Sequence, residues 1–168
     1  MSGKDLRGHR KSATSSNVGI KGNLCKYQNE VEKIIKGGDA ECLVKTAKQI
    51  AKDMIKKKKK SDEVNEKVSV STSQIRNIFG TAKKIEMRMN STDQRSISEA
   101  YAKLLLLKPK MAYANGRFNK GNRRPGFKVL VDCLSEAIDM VEGQDERMKN
   151  FFNFFEAILA YHRAEGGK

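Results

Sequence analysis

Apolar residues in this chain return every three or four positions and never settle into alternation. The clearest stripe lies near the C-terminus, where Met148, Phe151, Phe152, Phe155, Ile158, Leu159 and His162 share one face of a 3.6-residue helix, with Phe154 and Tyr161 beside it. The same period runs through Phe127, Leu130, Val131, Leu134, Ala137, Ile138 and Val141, a helix that Gly143 ends, and Asp145 is placed to cap the helix that follows. Ile75, Ile78, Phe79, Ala82, Ile85 and Met89 form a third stripe. Ser71 and Gln74 read as its capping box, with Val70 stapled onto Ile75. Leu43, Ala47, Ile50 and Met54 form a fourth, on a helix from about Ala40 to Lys60. A shorter stripe of Leu24, Tyr27, Val31, Ile34 and Ile35 is stopped by Gly37 and Gly38, with Asp39 as the cap of the next helix. A sheet needs period two, and no stretch sustains it. The expected fold is therefore all-α: a single-domain bundle of about five helices, with an extra short helix on its N-terminal side.

The 168 residues suit one domain with a core. Residues 1–23 hold few large apolar groups and cannot offset the entropy of ordering them. They are expected to form a mobile basic tail, and residues 24–168 the helical domain.

Residues 104–117 concentrate the interest of the chain. Leu104, Leu105, Leu106 and Leu107 follow Ile97 and Tyr101 and widen the apolar face of their helix, which predicts a central helix covered on several sides. Pro109 lacks an N–H and clashes with the carbonyl four residues back, so a break is expected near residues 105–108. A turn resumes through Met111, Ala112 and Tyr113 until Asn115 and Gly116 end it. Pro109 then acts as a hinge that sets Lys108, Lys110 and Arg117 along one basic side. Residues 118–126 follow as a flexible basic loop.

Charge points to the partner. The net charge is +14, and it is not spread evenly: residues 41–130 hold 22 basic against 8 acidic groups, while residues 131–168 hold 4 against 8. A cation-rich middle is what phosphate binding needs, because neutralising phosphates releases condensed counterions. Arg76, Lys83, Lys84 and Arg88 line one helix. At about 100° per residue, Arg76 and Lys83 fall together at one margin of its apolar stripe, with Lys84 and Arg88 nearly opposite that stripe. Lys108, Lys110 and Arg117 flank the proline, and Lys120, Arg123, Arg124 and Lys128 follow. Arginine offers phosphate a planar fork and stacks on bases, whereas lysine supplies a point charge. Tyr113 and Phe118 are interleaved as candidate stackers, with a core-edge place the alternative for Tyr113. Such a set favours sequence-tolerant binding along a single-stranded or guide-paired RNA over base readout in a major groove. The lysines at 56–60 are read as a solvated helix end rather than a phosphate grip.

Other chemistries find little support. His9 lies in the tail and His162 on an apolar stripe, where a core histidine is expected; neither has an acid/base partner nearby in sequence. Asp132, Glu136 and Asp139 line one side of a helix in a spacing typical of solvent-facing charge. No catalytic residues, metal ligands or cofactor are expected. Three cysteines without short paired spacing (Cys25, Cys42 and Cys133) fit a reducing cytoplasm rather than a disulfide framework. No apolar run approaches the roughly 20 residues that span a bilayer. The basic start has no apolar segment behind it, so no secretory leader is expected.

Three stretches in order carry a recognisable pattern: Ser71-Thr72-Ser73-Gln74-Ile75-Arg76-Asn77-Ile78-Phe79; Leu107-Lys108-Pro109-Lys110-Met111-Ala112-Tyr113-Ala114 with Gly116-Arg117; and Phe151-Phe152-Asn153-Phe154-Phe155-Glu156-Ala157-Ile158-Leu159-Ala160-Tyr161-His162. From about Ala40 onward the chain resembles the small α-helical subunit of type III-A CRISPR–Cas effector complexes, the Csm complex. The resemblance implies a non-catalytic, cytoplasmic, antiviral-defence protein that stacks in several copies along the filament of the backbone subunit. It implies contact with target RNA paired to guide RNA, association with the backbone and large subunits, and self-association. Carried over by motif, Arg76, Lys108, Lys110 and Arg117 are the expected RNA contacts. Lys83, Lys84, Arg123 and Arg124 join them on charge and helical geometry. The competing expectation is a helical adaptor for an acidic protein partner, without RNA function.

Overall fold

The computed structural model describes residues 25–55, 72–89, 92–118 and 125–167. Among them are seven helices and no strand: α1 (Gln28–Gly37), α2 (Ala40–Ile55), α3 (Thr72–Arg88), α4 (Gln94–Leu105), α5 (Leu107–Phe118), α6 (Pro125–Val141) and α7 (Asp145–Ala164). The all-α expectation holds. The count exceeds about five because the short N-terminal helix is present and because the chain around Pro109 forms two helices.

Local chemistry explains most of the ends. Gly38 follows α1 at φ 66°, and its N–H reaches back to the Ile34 carbonyl. This left-handed position suits a residue without Cβ. Asp39 then caps α2, its Oδ1 accepting from the Cys42 amide at 2.9 Å. Asp93 caps α4 in the same way, accepting from the Arg95 amide at 3.0 Å. Asp145 does not cap the last helix: Gln144 holds the cap position without a side-chain bond. Asp145 is instead the first helical residue and pairs with Lys149 at 2.7 Å, which still places a carboxylate at the positive end of the helix. The helix α6 also begins earlier than its apolar stripe suggests, at Pro125, whose fixed φ suits a first helical position. Ser71, Val70 and the lysines at 56–60 lie outside the described residues.

The break predicted by Pro109 falls at Leu106. Pro109 becomes the third residue of α5, where an N–H would have no partner within the helix, so the proline starts a helix as well as ending one. The resumed helix continues past Asn115 and Gly116 to Phe118. The expectation of a central leucine-rich helix fails. At the α4–α5 corner Leu104 and Leu107 are buried, but Leu106 is 61% exposed and Leu105 is exposed as well. The break turns the chain before the four leucines can share one buried face.

The centre belongs instead to α2, α6 and α7. The helix α2 packs chiefly on α7, α1 on α6, and α3 on α7, while α4 and α5 close one flank. Phe127, Phe151, Phe154 and Phe155 are fully buried, and Phe79 of α3 meets Phe155 edge-on at 5.3 Å between ring centroids. The phenylalanines at 151–155 are core, as expected. So is His162, which is completely buried on α7. At the α2–α6 crossing the backbones nearly touch: a Cβ on Gly126 would lie 2.2 Å from the Met54 carbonyl oxygen. No helix among the described residues is long and apolar enough to cross a membrane.

Candidate nucleic-acid interface

The candidate cationic residues sort themselves by where the helical pitch carries them. On α5, Leu107, Met111 and Ala114 form the inward stripe. At about 100° per residue, Lys110 and Arg117 lie within about 20° of each other on one margin of that stripe, and Lys108 lies on the other. Lys110 and Arg117 face α3. With Tyr113, Leu107 and Ala114 of α5 and Asn77, Ile78 and Thr81 of α3, they line a groove of about 310 Å³. Lys108 faces α6, where its Nζ lies 2.5 Å from Asp139 Oδ1. The three cations expected along one side are therefore divided. The turn at Leu106 sets the direction of α5, but the pitch of α5 separates Lys108 from Lys110.

The same geometry divides α3. Asn77 and Thr81 face the groove. Lys84 and Arg88, seven and eleven residues beyond Asn77, fall within about 20° of its line and are exposed, so they continue the groove margin along α3. Arg76 and Lys83 share the opposite margin, toward α7. Lys83 is held there by Glu86 at 2.8 Å and Glu156 at 3.3 Å. These carboxylates, Glu86 foremost, raise the Lys83 ammonium above the usual lysine range. Arg76 is exposed on that margin. Arg123 and Arg124, like Lys120, lie outside the described residues.

The groove thus differs electrostatically from its surroundings. Lys108, Lys83 and Lys128 each have a carboxylate partner, Lys128 through Asp132 at 2.5 Å. Among the described residues, no carboxylate lines the α3–α5 groove. Lys110 and Arg117 give this groove a positive lining. Tyr113 stands at its edge with 72% of its surface exposed, which removes it from the core and leaves its ring face available. Asn77 and Thr81 add short polar groups on the α3 wall. Sequence reasoning passed over both, although their spacing of four residues, continued by Lys84 and Arg88, was a legible signal. Asp132 and Asp139 are taken up by Lys128 and Lys108, and among the described residues no group of His, Cys, Asp and Glu is arranged to hold a metal ion.

A family model described as Csm2 Type III-A matches residues 38–168. No curated protein and no solved structure gave a match to the chain. The matched span takes in α2 to α7 and every residue of the groove, and leaves out α1 and the residues before it. On that match over most of its length, in helices that bring together Lys110 and Arg117, the chain belongs to the Csm2 Type III-A family, the small subunit of the type III-A CRISPR effector complex.

Proposed function

We propose that this subunit binds RNA along the α3–α5 groove, contacting target RNA paired with the guide, and that it does so without catalysing a reaction. It acts in the cytoplasm, in several copies stacked along the backbone subunit and beside the large subunit. The observation that carries the proposal is the convergence of Lys110, Arg117 and the exposed Tyr113 on one groove, in which no carboxylate stands among the described lining residues. Lys110 and Arg117 meet phosphates, Lys84 and Arg88 extend the positive track, and Tyr113 stacks on a base. No base-reading pattern is required, which suits a subunit that must accept any target a guide specifies.

The test is titration of the chain with single-stranded RNA over a range of salt. Replacing Lys110 and Arg117 together by glutamine should weaken binding and lower the slope of log affinity against log salt by about two. Tyr113→Ala should weaken binding by about 1–3 kcal/mol with little change in that slope. If the double variant keeps both affinity and slope, the groove is not the RNA site.

A further inference from the structure

We infer that Cys25 and Cys133 form a reversible disulfide that locks the N-terminal segment and α1 onto α6 when the chain meets a hydroperoxide. The two sulfurs lie 2.7 Å apart although both cysteines are free thiols. That is close enough for one to attack the other without backbone movement. Both are buried, at 4% and 1% exposure. The third cysteine, Cys42, is part-exposed on α2, with Thr46 and the Glu30 carbonyl at 3.7 Å.

The surroundings hold the pair in place from two sides. Lys26 and Tyr27, next to Cys25, both bond Asp53 of α2, at 2.9 and 2.5 Å. At the far end of α1, the Asn150 amide of α7 donates to the Ile35 carbonyl at 3.1 Å. Residues 25–37 lie outside the span matched by the family model, so the pair joins the extra helix to the body of the subunit. The two thiols are not equivalent. The Tyr27 amide donates to the Cys25 sulfur at 3.4 Å, and the Cys133 sulfur shares a hydrogen bond with it at 2.7 Å. These bonds favour the thiolate at Cys25 and lower its pKa, while Cys133 is held protonated by that same bond and by burial. Cys25 is also the more exposed of the two.

The chemistry balances with a hydroperoxide as oxidant. The Cys25 thiolate attacks a peroxide oxygen and the O–O bond breaks, giving a sulfenic acid and one hydroxide, which takes up the proton that Cys25 released on ionising and leaves as water. Cys133 sulfur then attacks Cys25 sulfur, the S–O bond breaks, and the departing hydroxide takes the Cys133 proton as a second water. The two sulfurs lose two electrons and hydrogen peroxide gains them.

The experiment exposes the native full-length chain to hydrogen peroxide or to copper–phenanthroline, then denatures it, alkylates it and maps the peptides by mass. The expected result is one alkylated thiol, Cys42, and one crosslinked peptide pair containing Cys25 and Cys133, restored to three free thiols by dithiothreitol. The bond closes a separation of 108 residues. The melting temperature should therefore rise on oxidation by on the order of 5–10 °C. Cys133→Ser should lose both the crosslink and the shift, and Cys42→Ser should keep them. Three free thiols after both oxidants, or a crosslink made through Cys42, would overturn the inference; because the wild-type chain alone gives this readout, a poorly folding variant does not obscure it.

Discussion

Lys108 and Lys110 are separated by one residue, yet Lys108 is bound to Asp139 of α6 while Lys110 lines the groove against α3. This division gives an internal control for RNA binding. Lys108→Ala removes a cation as surely as Lys110→Ala does, but one already engaged by a carboxylate. We expect Lys108→Ala to leave RNA affinity within about twofold of wild type and to change stability by less than about 1 kcal/mol, since the pair is partly exposed. Lys110→Ala should cost a phosphate contact, seen as a shallower salt dependence. Equal losses from the two variants would mean that net charge, rather than the groove, governs binding.

A second prediction concerns the α2–α6 crossing. The Cβ of an alanine at 126 would stand 2.2 Å from the Met54 carbonyl oxygen and 2.7 Å from its Cα, both backbone atoms that no rotamer change can move. Gly126→Ala should destabilise the fold by about 2–3 kcal/mol in chemical denaturation, although alanine is ordinarily the better helix former. Gly80 and Gly116, where a Cβ meets nothing within 4 Å, are the comparison: alanine there should be neutral or stabilising.

Alkaline pH gives a third. Burial, reinforced by the bond to Asp53, pushes the Tyr27 phenol up to about 12. The unfolded chain releases that proton near pH 10, so between about pH 10 and 12 the native state binds more protons than the unfolded state. Stability from this group is complete below about pH 10 and declines as pH rises toward 12. Lys26, raised chiefly by its bond to Asp53, moves stability in the same direction. Melting curves across this range should steepen downward above about pH 10 in wild type and less so in Tyr27→Phe. Lys26 and Gln49 still donate to Asp53 in that variant. An unchanged alkaline slope in Tyr27→Phe would show that Tyr27 is not responsible.

Much of this architecture was legible because helical period and caps are local. Asp39, Gly38 and the stripes of α2, α3, α6 and α7 could be placed from spacing alone, and the core character of Phe151, Phe155 and His162 followed. The misses were questions of direction. Four consecutive leucines looked like a buried helix, but whether Leu106 faces the core depends on the angle at the break, which is set by what α5 packs against. Lys108 and Lys110 were grouped because they flank one proline. Their separation was available from the pitch of α5, but the carboxylate that captures Lys108 comes from α6, 31 residues away. The spacing of Asn77 and Thr81 marks a shared helix face, but only α5 laid beside α3 makes that face the wall of a groove. Long-range pairing, more than helix formation, was what the string of residues concealed.

The order of packing in the bundle also bears on how the chain reaches its fold. The principal partner of α2 is α7, and that of α1 is α6, so the innermost neighbours are about a hundred residues apart in sequence. An up-and-down bundle can complete its core helix by helix as it is synthesised. Here the apolar face of α2, with Ile50 and Met54, waits for the helix that holds Phe151, Phe155 and Ile158, which is translated about a hundred residues later. Folding should therefore be slower than is usual for an all-helical protein of this size, with a nascent chain that keeps an unsatisfied α2 surface until α7 has left the ribosome.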